Sequence, residues 1–393
     1  MMKLKKYIFG LVLGAVSLTC TSCYNADREF PDYEEGTTAY FAYQYPVRTL
    51  VLGNDIYDNS LDNDHKCRIW ATMGGAYGGR DAYVDIVVEE KLCNNLYFTD
   101  DGGNAAAPVM PLPSSHYRLM SNVIPYNGEP RGYVEVEFTE DFFKDEKCVE
   151  NSYVIPLRMN GVRGIDHILT GKPREGLDPS PTNTEDWEVL AKDYVLYCVK
   201  YMNPWQAKYI RRGVDRVTEK GTTTTVVRKD MSLVNSDLEH YHENPVNQND
   251  EVCGISTKNM TQAIFPISVK RSGNKASVIC NLTLTFNGDK CTISSDDDKV
   301  TSTGSGEYIT KGTERPEYKD YQWGSNNGVP MQRDILRLAY TVSIEKGKVL
   351  GKDDKGNDIL LDNDIQVTTA DTLVVQTRES NKKETFSPKY VKP

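Results

Sequence analysis

Three sets of side chains in this 393-residue sequence have types and spacing that suit chemistry: cysteines near the start, an aromatic loop, and clusters of His, Asp and Glu. Cys23 closes Thr19-Cys20-Thr21-Ser22-Cys23, behind Lys3, Lys5, Lys6 and the apolar run Tyr7–Leu18. A basic head, a short apolar middle and small residues before a cysteine form a secretory signal that ends in a lipid-attachment site. The run is shorter than the roughly 20 apolar residues that span a bilayer. Small residues are needed directly before the modified cysteine, so Thr21 and Ser22 favour Cys23 over Cys20, which follows Thr19 and the bulkier Leu18. Cys23 is therefore expected to carry a lipid and to open the mature chain, with cleavage without lipid as the alternative.

Sugar-binding surfaces stack the apolar C–H face of a sugar ring on exposed Trp and Tyr rings. Tyr318, Tyr321 and Trp323 fall in a loop-like stretch from Pro316 to Pro330, beside Gly324, Asn326 and Asn327, and are the candidate glycan platform. The competing reading has Trp323 plugging a barrel mouth or packing on a strand. Trp70 and Trp205 stand in strand context, where burial in a core is expected. Trp187 suits either role.

Other clusters carry less. Glu135 and Glu137 share a strand face, which suits an acid and a base for sugar hydrolysis, but the same spacing marks the solvent side of an amphipathic strand. His240-Tyr241-His242, flanked by Glu239 and Glu243, has metal-ligand types but no identifiable third ligand for zinc. Gly74-Gly75-Ala76-Tyr77-Gly78-Gly79 lacks the spacing and the following helix of a dinucleotide loop. Asn54, Asp55, Asp58, Asp62, Asn63 and Asp64 crowd one loop, and Asp353-Asp354-Lys355-Gly356-Asn357-Asp358 forms another. Both lack the closing glutamate of a twelve-position calcium loop and read as turns. No nucleophile elbow is present. No catalytic residue, cofactor or metal is expected.

Positioning these residues falls to strands. Cys67, Ile69 and Ala71 alternate with Arg68 and Trp70, Val84 and Ile86 with Asp85 and Val87, and Val134 and Val136 with Glu135 and Glu137. Period two over short runs with turn-rich joints predicts an antiparallel β-sandwich. Pro156 within Tyr153–Met159 suggests an edge strand or a bulge. Gly171–Asp193, with Pro173, Gly176, Pro179 and Pro181, has linker composition. Alternation resumes at Tyr194, and about eight to ten strands over roughly 200 residues fit an up-and-down antiparallel barrel.

Composition bounds the partners. Net charge is −10, and −13 without Lys3, Lys5 and Lys6, which argues against nucleic acid and against electrostatic docking on anionic lipid. Membrane attachment then rests on the N-terminal lipid. Beyond Cys20 and Cys23, seven scattered cysteines remain, so buried thiols are expected rather than a disulfide framework.

Several segments carry a resemblance. Arg68–Gly75, Val84–Val88, Leu112-Pro113-Ser114-Ser115-His116-Tyr117, Gly132–Val136, Phe142-Phe143 and Tyr153–Leu157 follow the order of an N-terminal Ig-like domain of unknown function common in Bacteroidota surface lipoproteins. Asn203-Pro204-Trp205, Arg211-Arg212-Gly213, the hairpin around Asn287-Gly288 and Asp371–Val375 resemble the lipocalin-like C-terminal domain paired with it. Trp205 lacks the glycine two residues earlier that true lipocalins have, so a cavity for a hydrophobic ligand is not carried over. Asp27, Glu29, Asp32, Glu34 and Glu35 resemble the surface-export signal of such lipoproteins. These proteins are often encoded beside glycan-uptake systems, so the resemblance implies an outer-membrane, surface-facing accessory in glycan capture.

The sequence therefore predicts an all-β chain: signal 1–22, acidic tether 23–36, Ig-like β-sandwich 37–170, linker 171–193 and lipocalin-like antiparallel β-barrel 194–393. The expected role is non-catalytic binding, with glycan or an outer-membrane uptake complex as partner. An envelope lipoprotein that binds another protein, and an unrecognised glycoside hydrolase, are the alternatives.

Overall fold

The computed structural model describes residues 36–76, 78–228, 250–271, 275–322 and 324–393. Strand makes up 53% and helix 8%, as period-two patterning predicts. No helix among the described residues is long and apolar enough to cross a membrane.

The first body packs two sheets on one core. One sheet runs His167–Ile168, Thr38–Tyr40, Lys66–Gly74, Arg131–Phe138, Tyr117–Leu119. The other runs Glu384–Thr385, Pro46–Val51, Tyr194–Met202, Tyr153–Arg163, Tyr83–Val88, Val123–Pro125. Successive side chains of a strand point to opposite faces. Cys67, Ile69, Ala71 and Met73 therefore go inward together and join Val84, Ile86, Ile155, Leu157, Val195 and Val199 from the other sheet.

Several details depart from the sequence reading. Tyr194–Met202, expected to open the barrel, is an interior strand of the sandwich. It lies antiparallel to Tyr153–Arg163, with Val154 opposite Cys198, and parallel to Pro46–Val51, with Val47 opposite Cys198. Its side chains are buried on both faces, so its alternation does not mark a half-solvated strand. Gly171–Asp193, expected as a linker, is held to the sandwich at several points, though most of its residues are exposed. Lys172–Pro173 pairs with Trp187–Val189, buried Trp187 donates from Nε1 to the Ser180 carbonyl at 3.1 Å, and Arg158 holds buried Asp193 at 2.9 Å. Pro156 lies in an interior strand. Its carbonyl accepts the Glu89 amide just past Val88, where the neighbouring strand ends, so its missing N–H removes no ladder bond.

The second body is a closed barrel of eight antiparallel strands in chain order: Ala207–Glu219, Glu251–Thr257, Gln262–Val269, Val278–Asn287, Lys290–Ser294, Val300–Ile309, Ile335–Ile344 and Ile365–Thr377. The last pairs with the first from Lys208–Thr377 to Glu219–Ile365. Thr222–Arg228 pairs with the C-terminal half of Ala207–Glu219. Cys291 sits opposite Phe286 across the Asn287–Lys290 turn, as the turn length predicts. Phe265, Leu282, Leu284, Leu338 and Val342 fill the inside, around the buried pair Arg211 and Asp371. The seven described cysteines are free and buried. The tail, expected in the barrel, returns to the sandwich. Glu384–Thr385 pairs with Pro46–Val47, Pro388–Tyr390 pairs with Leu96–Phe98, and Phe386 packs on Tyr45 and Phe98.

Candidate functional site

The inward set Cys67, Ile69, Ala71 fixes what the same strand shows to solvent: Lys66, Arg68, Trp70 and Thr72. The neighbouring strand presents Arg131, Tyr133, Glu135 and Glu137 for the same reason. The register puts Trp70 opposite Tyr133, Arg68 opposite Glu135, Thr72 opposite Arg131 and Lys66 opposite Glu137. Trp70 is 46% exposed and Tyr133 36%. Their ring centroids are 4.7 Å apart with planes tilted by 51°. The Arg68 guanidinium lies 4.5 Å from the Tyr133 ring centre, and that of Arg131 lies 5.5 Å from the Trp70 ring centre. Such contacts contribute about 0.5–1 kcal/mol each at exposed sites, enough to bias ring orientation. Glu135 accepts from Lys66 Nζ at 3.1 Å and lies 3.7 Å from Arg68 Nε. The result is an open sheet face with two paired rings, each with a guanidinium over one face, and a carboxylate alongside. Rings of this kind offer an apolar face to a sugar ring while the border offers donors and acceptors to hydroxyls.

Trp70 is thus displayed rather than buried, contrary to the sequence reading. The signal was present: Trp70 is out of phase with Cys67, Ile69 and Ala71. Glu135 and Glu137, the carboxylates weighed for hydrolysis, stand on this open face, and Glu135 is engaged by Lys66 and Arg68.

The aromatic loop behaves in the opposite way. Tyr318 and Tyr321 are only 6% and 4% exposed. They pack with Ile210, Ile309, Ile335 and Val374, outward-pointing residues of four barrel strands. Their rings meet edge to face at 6.1 Å, and the Arg212 guanidinium lies 5.7 Å from the Tyr321 ring centre. Short 3-10 turns at Gly312–Glu314 and Pro316–Tyr321 fold the segment over that apolar patch. The two tyrosines therefore form no exposed platform. Trp323, Cys23, His240 and His242 lie outside the described residues.

The remaining candidates resolve as local structure. Asp353 Oδ1 accepts the amides of Lys355 and Asn357, both at 2.8 Å, which makes that acidic loop a turn. A Cβ on Gly79 would meet the Gly128 carbonyl at 1.5 Å, so this glycine permits a tight backbone crossing. One group was not foreseen. His116, Asp145 and Cys148 bring metal-ligand atoms within 4.8 Å of one another. His116 Nε2 is 3.1 Å from Asp145 Oδ2, which also accepts the Tyr153 hydroxyl at 3.0 Å, while Oδ1 accepts the Lys147 amide at 2.9 Å. Burial pushes the Asp145 carboxyl up, but these donors outweigh it and hold the carboxyl below its ordinary value. Through these bonds Asp145 joins His116 to the strand that begins at Tyr153.

Fold and surface together define an all-β protein of two bodies, a sandwich carrying an exposed ring pair and a filled eight-stranded barrel. The profile of a domain of unknown function, DUF5627, matches residues 204–379, and one described only as a "-like, N-terminal domain" matches residues 33–166. A Bacteroides ovatus protein of unknown function, solved by structural genomics at 2.40 Å, is 36% identical, with 92% of this chain and 100% of that chain covered and a TM-score of 0.73. The chain belongs to the same family as that Bacteroides ovatus protein. More distant are a Bacteroides ovatus multidomain protein including DUF1735 (9% identity, 86% and 94% covered, TM-score 0.40) and an auxiliary nutrient binding protein from Bacteroides thetaiotaomicron (9% identity, 83% and 90% covered, TM-score 0.36). No curated protein matches.

Proposed function

We propose that this protein is a lipid-anchored, outward-facing binder of polysaccharide at the outer membrane, serving an uptake system without cleaving the glycan. The observation that carries the reading is the exposed Trp70–Tyr133 pair with its flanking Arg68, Arg131 and Glu135. An isolated exposed ring is ordinary, but two large rings paired across strands and held by cations on an open face suit stacking against sugar. The 51° tilt lets one sugar ring rest on Trp70 while Tyr133 flanks it. Anchoring rests on the Cys23 pattern.

Affinity electrophoresis through gels loaded with neutral plant and fungal polysaccharides tests the binding. At least one polymer should retard the soluble chain, and Trp70→Ala should weaken that retention at least tenfold, about 1.4 kcal/mol. Retention by no polymer, or undiminished retention of Trp70→Ala, overturns the reading. Metabolic labelling with a palmitate analogue tests the anchor, since label should vanish in Cys23→Ala.

A further inference from the structure

His116, Asp145 and Cys148 come from two segments that the backbone fixes side by side. The Thr139 amide donates to the His116 carbonyl at 2.9 Å and the Thr139 hydroxyl to the Ser115 carbonyl at 2.7 Å. Asp145 caps the 3-10 turn Glu146–Val149, and the Cys148 amide donates to its carbonyl at 3.0 Å. Cys148 is fully buried in the core that holds Phe142, Phe143 and Tyr201, while the side chains of His116 and Asp145 are 12% and 25% exposed.

An imidazole nitrogen, a carboxylate oxygen and a thiol form the mixed donor set that suits zinc. Tetrahedral zinc, with bonds of about 2.0–2.3 Å, spaces its ligand atoms about 3.3–3.6 Å apart. The three ligand atoms here lie within 4.8 Å of one another, and His116 Nε2 is 3.1 Å from Asp145 Oδ2, so small side-chain rotations close them on one ion. Among the described residues, no other His, Cys, Asp and Glu side chains gather three ligand atoms this closely.

The outer contacts fit the same role. Ser115 Oγ lies 3.0 Å from His116 Nδ1, where it can accept the imidazole proton and leave the Nε2 lone pair to a cation. The Lys147 amide on Oδ1 and the Tyr153 hydroxyl on Oδ2 orient the Asp145 carboxylate. Metal-bound histidines and carboxylates are held by such second partners. Burial pushes the Cys148 thiol up, which keeps it protonated on its own. A divalent cation reverses this, because a coordinating thiol is deprotonated outright.

We infer that His116 Nε2, Asp145 Oδ2 and the Cys148 thiolate hold one zinc ion, with water as the fourth ligand, and that the ion staples the segment Leu112–Tyr117 to the turn Glu146–Val149. Zinc takes the lone pair of an imidazole protonated at Nδ1 and displaces the Cys148 proton to solvent. The site uses none of the residues of the sugar-binding reading, and neither depends on the other.

Equilibrium dialysis of the chelator-treated soluble chain against zinc tests it. Elemental analysis should find one ion per chain, with a dissociation constant below about 1 μM. Cobalt(II) in place of zinc should give a near-ultraviolet charge-transfer band, which requires a thiolate ligand. Cys148→Ser should abolish that band, and Cys148→Ser and His116→Gln should each weaken zinc at least a hundredfold. Tyr153→Phe, which removes an outer contact, should weaken it about tenfold. Replacing both His240 and His242 with alanine should leave it within twofold. Circular dichroism checks that each variant is folded, and the cobalt band reads the sulfur ligand in the wild type without any substitution. Failure to bind zinc at micromolar concentration overturns the site, and so does a cobalt form without the thiolate band. Wild-type zinc affinity in folded Cys148→Ser and His116→Gln overturns it too. Loss of the ion on replacing His240 and His242 assigns it to those histidines and has the same consequence.

Discussion

Replacing Asp371 with asparagine removes one charge from a fully enclosed ion pair of the barrel. Arg211 donates to Asp371 Oδ2 from Nε at 3.1 Å and Nη2 at 2.6 Å, and the Tyr340 hydroxyl donates to the same oxygen at 2.8 Å. Arg211 and Asp371 are essentially inaccessible to water. Deleting one partner of such a pair costs about 3–5 kcal/mol, because the other charge stays buried without compensation. Glu251, 3.1 Å from Arg211 Nη1 and partly solvated, keeps some compensation, which places Asp371→Asn near the lower end, about 3 kcal/mol. Urea unfolding followed by circular dichroism at pH 7 reads this directly. Arg211→Met with Asp371→Leu should recover much of the loss, since both desolvation costs vanish together. Gly213 adds an internal check. A Cβ there would lie 2.1 Å from Asp371 Oδ1 and 2.6 Å from the Ala370 carbonyl, so Gly213→Ala should destabilise the barrel and cost less in an Asp371→Ala background. A loss under about 1 kcal/mol for Asp371→Asn, the value of a surface pair, refutes the reasoning. So does a double variant no more stable than the single one.

Two further outcomes are expected. Hydrogen bonds from Arg271 and Lys275 hold the Glu219 carboxyl below its ordinary 4.5. A folded value below the unfolded one gives stability that is full above pH 4.5 and lost as pH falls from there through the lower folded value. The stability gap between wild type and Glu219→Gln should therefore hold from about pH 7 to 5.5 and shrink by about pH 3, and a gap unchanged at the acid end contradicts the assignment. Burial pushes the thiols of Cys67, Cys93, Cys198, Cys253 and Cys291 up to about 12 and that of Cys280 to about 11. A chain starting at Gly36 should show no fast reaction with a disulfide reagent at pH 8 and seven reactive thiols once unfolded; fast reaction of the folded protein counts against this burial.

The class of fold was legible because half-buried antiparallel strands write their orientation into period two, and both bodies are built from them. What failed to show were places where burial comes from a third direction. Tyr194–Met202 is covered on both faces, so its pattern could not say which sheet owns it. Ile210, Ile309, Ile335 and Val374 point outward from the barrel yet are buried, and that break in alternation was the clue that something covers them. The cover is Tyr318 and Tyr321, whose loop composition suggested exposure. Trp70 erred the other way, because residue type was weighed above phase. The contact between the two bodies was beyond reach. Asp55 and Arg378 stand 323 positions apart, and no local pattern ties a sandwich loop to the end of the last barrel strand.

The seam between the bodies is closely hydrogen-bonded. The crossing at Asn203–Gln206 is short, and its polar groups are engaged. The Asn203 amide group donates to the Asn259 and Gln262 carbonyls at 3.0 and 2.9 Å, its Oδ1 accepts the Trp205 and Gln206 amides, and its backbone N–H donates to Thr257 Oγ1 at 2.9 Å. Arg378 binds the carbonyls of Asn54, Asn203 and Gln206, joining a sandwich loop to the crossing. The returning tail adds strands to the sandwich after the barrel has closed. A connection bonded at this density ties the sandwich to the barrel through both the backbone crossing and Arg378.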